Sequence, residues 1–200
     1  MLSSEKKVMP LRRLRVVCHG HPALRRVSSP VSTVTDKLRR LAQCMIITMR
    51  ENYTVGIGLA APQVGVNVRL ITLDICLDSK GGSNLSPGEL LFKSRMPLAL
   101  VNPEILSFSE HCDSAEEGCL SLPGVSGHVR RPERILLRAS SLDGEQFQVE
   151  CAGLLARCLQ HEIDHLDGKL FYEHLNKAEQ KAAADTMRVL ARRERALMQR

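Results

Sequence analysis

Residues 160–168 read QHEIDHLDG, and the two histidines four apart in this stretch are the point from which the rest of the chain is read. On an α-helix, positions i and i+4 are separated by about 40° and roughly 6 Å of rise, so His161 and His165 can direct both imidazoles at one ion. Glu162 stands beside His161, placed to meet a water on that ion without ligating it. The pattern is helical from Gly153 to Leu166 and mostly apolar, which makes two incidental surface histidines the poorer reading.

A length of 200 residues suits one domain. The hydrophobic share is 44% with no Trp, two Tyr and four Phe, so the core is expected to consist of Leu, Ile, Val, Met and Ala. A formal charge of +6 suits an anionic partner such as RNA, or is only a solubility feature; nothing in it calls for DNA. Seven cysteines, an odd number without a compact framework, argue for a reducing compartment. The N-terminal MLSSEKKVMPLRRLRVV lacks a signal-peptide core, and no run reaches the ~20 apolar residues of a membrane span. A cytoplasmic protein is expected, with an organellar address left open by the Ser, Lys and Arg near the start.

A stripe of Leu38, Leu41, Met45 and Met49 predicts a helix over 35–51, with Thr35 or Asp36 as N-cap. Residues 55–65, VGIGLAAPQVG, read as loop, and 66–75 as strand. The Gly/Ser-rich start of 78–95 predicts an exposed excursion. Strand-like runs follow at 98–105, around Leu120, at 134–139 and at 146–151, and a polar helix is expected from Asn176 to Arg200. Strands clustered between helices indicate an α+β fold. The expected organisation is a catalytic unit over 1–175 and a basic helical extension of the same domain over 176–200.

Two imidazoles do not complete a catalytic metal site, which generally needs three protein ligands and one open position. The metzincin proteases take a third histidine from H-E-x-x-H-x-x-G-x-x-H; Gly168 fits that pattern, but Phe171 occupies the histidine position. Glu173 and Glu179 are downstream carboxylates in a charged region, where a solvated glutamate is the default. Cys158 shares the helix but lies about 10 Å along its axis from His165, too far to join it on one ion. Upstream, EEGCLSLPG at 116–124 sets Cys119 between a glycine and a short apolar run; a thiolate there would complete a His2Cys set, although the segment alone is only a buried cysteine beside a turn.

Taken together, GLAAPQVG at 58–65, EGCLS at 117–121 and HEIDH at 161–165 resemble the three signature motifs of the peptide deformylase family, in order, and the resemblance spans about His19 to Leu175. It implies antiparallel strands wrapped around a central helix carrying the metal histidines. It further implies that Cys119, His161 and His165 hold a metal, Fe(II) in the cell and replaceable by nickel, cobalt or zinc. The implied substrates are formyl-methionyl nascent peptides, from which formate is released. Glu162 would act as general base and then acid, with the Gln63 amide and the backbone N–H of Leu120 donating to the oxyanion. An extended peptide would run beside Ile57, Gly58 and Leu59 and near Gly118, its methionine entering a pocket by Leu154 and Cys158.

Arg157 departs from the apolar residue many relatives carry, and V125-S-G-H128 lacks an arginine common at the matching loop. Glu117 and Arg131 are a candidate pair holding the Cys119 segment, or an unrelated surface bridge. The tail from Lys177 to Arg200, with seven basic and three acidic residues, resembles a ribosome-docking helix or is a solvated one. Cys18-His19-Gly20-His21 reads as a turn rather than a second metal site. Rival readings are a metalloprotease, an RNA-binding protein with a structural metal, and a dinucleotide enzyme from GIGLAA at 56–61. The last lacks the preceding strand that such a fingerprint needs, and Pro62 follows it at once.

Overall fold

The computed structural model describes residues 10–51, 56–77 and 85–199. Helix α1 (Asp36–Arg50) begins where the Thr35 hydroxyl accepts the Leu38 N–H, satisfying one of the amides that a helix start leaves open. Leu38, Ala42, Met45 and Met49 form its buried face, against Leu59, Leu70 and Val101. Strands β1 (Gly58–Ala60), β2 (Leu70–Leu73) and β3 (Leu98–Phe108) follow, with α2 (Pro87–Phe92) between β2 and β3. Next come β4 (Cys112–Gly118), β5 (Ser126–Pro132), β6 (Arg134–Ser140), β7 (Gln146–Ala152), α3 (Gly153–Leu166) and α4 (Lys177–Met198).

Five strands form one antiparallel sheet in the order β1-β2-β3-β6-β7, and β4 and β5 form a separate hairpin. Strand alternation turns Ile135, Leu137 and Ala139 of β6, with Phe147 and Cys151 of β7, inward onto Leu155, Leu159, Ile163 and Leu166 of α3. Leu155, Leu159 and Leu166 are fully buried, each contributing about 1.5–3 kcal/mol of transfer free energy. Another side of α3 carries Arg157, His161 and Asp164, which meet polar groups of β4 and β5. The metal-type helix thus lies between an apolar sheet and a charged hairpin, the mixed α+β arrangement with a central helix.

Helix α4 packs back on the body. Asn176 and Glu179 form its capping box, Met187 and Leu190 join a cluster with Val17, Leu122 and Phe171, and buried Glu194 pairs with Arg15. Gly20 has φ 103°, and a β-carbon there would lie 2.7 Å from the Ala191 Cα; only glycine lets turn and helix approach this closely. The Cys18–His21 segment is that turn, with the His21 side chain accepting the Ala23 N–H.

Several expectations need correction. Gly58–Ala60, read as loop, is strand β1, because pairing with Ile71–Leu73 supplies the regularity its composition lacks. The strand expected over 66–75 is regular only from Leu70 to Leu73. Of the excursion over 78–95, residues 78–84 lie outside the described set, and the remainder is no exposed loop. Ser86 and Glu89 cap α2 reciprocally, and Phe92 is fully buried. The strand expected around Leu120 is a turn, closed by Leu122 N–H donating to the Cys119 carbonyl. The true strands flank it as β4 and β5.

Candidate metal centre

Cys119, His161 and His165 converge with their ligating atoms all within 4.8 Å of one another. The two histidines come from successive turns of α3, their rings edge to face with centroids 5.0 Å apart. Cys119 enters from the end of β4, its Sγ 3.2 Å from His165 Nε2. Phe171, at the position where a metzincin would need histidine, is buried and stacks on His161 at a centroid distance of 5.8 Å. Glu173 pairs with Arg25, and Glu179 accepts the backbone N–H groups of Asn176 and His128; neither belongs to the cluster.

The orientation of His161 is set from behind. Its Nδ1 lies 2.9 Å from Glu117 Oε2, leaving Nε2 for the cluster. Glu117 is buried and accepts from Arg131 at 2.7 and 3.0 Å and from Arg157 at 2.8 Å. Arg131 also holds Asp164, which meets His174. Glu117 and Arg131 are therefore the core of a buried network rather than a surface pair. Burial favours the neutral acid in Glu117, but the His161 and Arg131 hydrogen bonds outweigh it and hold the carboxyl down at about 2.

Burial likewise opposes a charged Cys119, yet the facing imidazoles of His165 and His161 bring the thiol down to about 5. Burial would lower His161; its bonds to Cys119 and Glu117 raise it to about 10. Glu162 follows the opposite logic: burial pushes its carboxyl up to about 7 against the pull of His161 and His165. Its Oε2 is buried without a hydrogen-bond partner, as is His165 Nδ1. A thiol and two imidazoles make a donor set suited to zinc, iron, cobalt or nickel, and the unpartnered carboxylate oxygen beside them fits a metal-activated water.

Gln63 lies in a 3-10 turn (Ala61–Val64) directly after β1. The Ala60 N–H donates to Gln63 Oε1 at 2.8 Å, so the amide turns its Nε2 toward Cys119 Sγ at 3.4 Å and Ser121 Oγ at 3.3 Å. A cavity of about 680 Å³ opens on the cluster, lined by Ile57, Gly58, Gln63, Gly118, Cys119, Leu120, Leu154, Cys158, His161 and Glu162, and by Arg157. The Leu59 side chain is fully buried against α1 and does not line the cavity. Strand alternation sends it to the opposite face from Gly58, so only its backbone lies along the edge.

Some groups here had no separate signal in the sequence. Ser121 sits within EGCLS, where its adjacency to Cys119 was the available clue. Asp164 and His174 had none, because their partner Arg131 comes from a strand that the hydrophobic pattern conceals.

Residues 13–181 match the family model described as Polypeptide deformylase. The chain belongs to this family. A peptide deformylase from Alkalilimnicola ehrlichii is 42% identical over 182 residues, 91% of this chain and 93% of that protein. The crystal structure of peptide deformylase from Ehrlichia chaffeensis superposes with a TM-score of 0.76 at 34% identity, covering 88% of this chain and 95% of that one. A peptide deformylase from Legionella pneumophila gives 0.74 at 35% identity, over 90% and 96%. The deformylase is a metal-dependent hydrolase that removes the formyl group from the N-terminal formyl-methionine of newly made polypeptides, releasing formate. The protease and dinucleotide readings fall with this membership, as does that of a non-enzymatic RNA-binding protein with a structural metal.

Proposed function

We propose that Glu162, Gln63 and the backbone N–H of Leu120 carry the hydrolysis, and that Cys119, His161 and His165 hold the ion. The supporting observation is the buried Glu162 Oε2, which has no hydrogen-bond partner, beside a thiol and two imidazoles. The ion is iron(II), with nickel, cobalt or zinc as replacements, and when bound it supplies Lewis acidity that makes water a nucleophile near neutral pH. Glu162, raised to about 7, takes the proton of the attacking water and delivers it to the departing amine, a role that needs a pKa near the working pH. The Gln63 amide, held by the Ala60 N–H, and the Leu120 N–H donate to the oxygen of the formyl group as it gains charge. One such donor contributes about 3–4 kcal/mol of transition-state stabilisation.

The nascent peptide lies extended along β1, at Ile57, Gly58 and the Leu59 backbone, and beside Gly118, with its methionine in the cavity by Leu154 and Cys158. Strand β1 ends the sheet order, so its outer edge suits main-chain pairing. Helix α4 completes the single domain, 1–175 being its catalytic part and 176–200 its extension. Arg188, Arg192, Arg193 and Arg195 are exposed on α4, which suits contact with ribosomal RNA. Among the described residues no helix is long and apolar enough to cross a membrane, and work on nascent chains fits the cytoplasm.

The roles are tested with Glu162→Gln in protein loaded anaerobically with Fe(II) or Ni(II). Formate release from a formyl-Met tripeptide should vanish while metal content stays that of the parent. Retained turnover would remove Glu162 from its role.

A further inference from the structure

Arg157 projects from α3 into the wall of the active-site cavity, yet its guanidinium is turned to the protein. Nη1 donates to Glu117 Oε1 and to the Val129 carbonyl, both at 2.8 Å, and Nη2 donates to the Asp113 carbonyl at 2.9 Å. One side chain of α3 therefore grips β4 at Asp113, β5 at Val129 and the carboxylate of Glu117. The Arg157 side chain is only 12% exposed, so little water competes for these bonds.

The two proposed ligands outside His165 both depend on what Arg157 holds. Cys119 follows β4 directly, one residue beyond Gly118 where the strand ends. His161 is oriented by Glu117, whose Oε1 takes Arg131 and Arg157 and whose Oε2 takes Arg131 and His161. With guanidinium donors on the other three approaches, the fourth is left for the His161 Nδ1–H. That fixes the tautomer with Nε2 facing the cluster.

We infer that Arg157 is a positioning residue for the metal centre, clamping the β4–β5 hairpin to α3 and fixing Glu117 so that Cys119 and His161 are held together before the ion arrives. The inference rests on the assignment of Cys119, His161 and His165 as ligands. Partners that orient a ligating histidine typically contribute 10–100-fold to metal affinity. Arg157 acts through such a partner, so its loss should weaken binding about tenfold.

The test is Co(II) titration of chelator-stripped protein, followed by the thiolate charge-transfer and d–d bands. Arg157→Met should bind Co(II) about tenfold more weakly with shifted bands, and Arg157→Gln, which keeps a polar stem, should do the same. In a Glu117→Gln background Arg157→Met should add less than the full tenfold, since its bond to the Glu117 carboxylate is already lost while those to the Val129 and Asp113 carbonyls remain. Parent-like affinity and bands in Arg157→Met would overturn the inference, as would a tenfold loss that persists without Glu117. If Arg157→Met fails to melt cooperatively, Arg157→Gln decides on the same two readouts. Failure of the parent protein to bind Co(II) through a thiolate would overturn the ligand assignment itself, and the inference with it.

Discussion

Gly58 lies against Glu162 so closely that a β-carbon on the glycine would overlap the carboxylate Oε1 and come within 2.8 Å of Cys158 Sγ. The edge strand and α3 meet here with no room for a side chain, at Cys158 and Glu162 on successive turns of the helix. The obstacle would be the ends of two buried side chains rather than backbone, so the relief is a displaced Glu162.

Gly58→Ala should therefore reduce kcat about 100-fold, the cost of misplacing a reacting group by about an ångström. Metal content should stay unchanged, because the three atoms nearest to the new methyl belong to Glu162 and Cys158 and to none of the proposed ligands. Steady-state kinetics with metal analysis checks this. A kcat within a few-fold of the parent would mean that Glu162 is not fixed by this contact.

Cys119 and Cys151 should behave oppositely toward alkylation. Burial disfavours both thiolates, but the imidazoles bring Cys119 down to about 5, whereas Cys151, beside Glu89 and Glu150, is pushed up to about 12. Since the thiolate is the nucleophile, chelator-stripped protein at pH 7 should lose Cys119 to iodoacetamide early and Cys151 only on denaturation. Restoring the ion should protect Cys119. Peptide mapping of both thiols provides the readout, and equal Cys119 labelling with and without metal would reject its role as a ligand.

The α3 helix was legible because its apolar period and the HEIDH spacing agree, and Thr35 announces α1 because a hydroxyl before an amphipathic run is a cap. The β4–β5 hairpin was hidden for a physical reason. Along DSAEEG and SGHVRRP the inward positions include Glu117 and Arg131, so the alternation that marks a strand is broken by charges that satisfy each other across the hairpin. Strand β1 was hidden because its regularity comes from β2, and α2 because the Ser86–Glu89 capping box sits in a stretch whose Gly, Ser and Pro suggest a loop. Arg157 showed as a charge in an apolar helix, where many relatives carry an apolar residue, but not as a clamp. Its partners come from strands far away in sequence, and a single chain carries no record of that meeting.

The Glu117 network should govern acid stability. The carboxyl is at about 2 in the fold against 4.5 when unperturbed, so the folded state binds its proton less readily than the unfolded one. Such a group adds stability in full above 4.5 and loses it as pH falls toward 2, on the order of 3 kcal/mol in all. Glu117→Gln lacks this titration and leaves two buried guanidinium groups without their carboxylate, a destabilisation of about 3–5 kcal/mol for a broken buried pair. Urea unfolding of chelator-stripped parent and variant at steps from pH 6 to pH 2.5 should therefore show a gap that is widest above pH 4.5 and closes steadily below it. A gap independent of pH across that range would mean that Glu117 is not held as a carboxylate by His161 and Arg131.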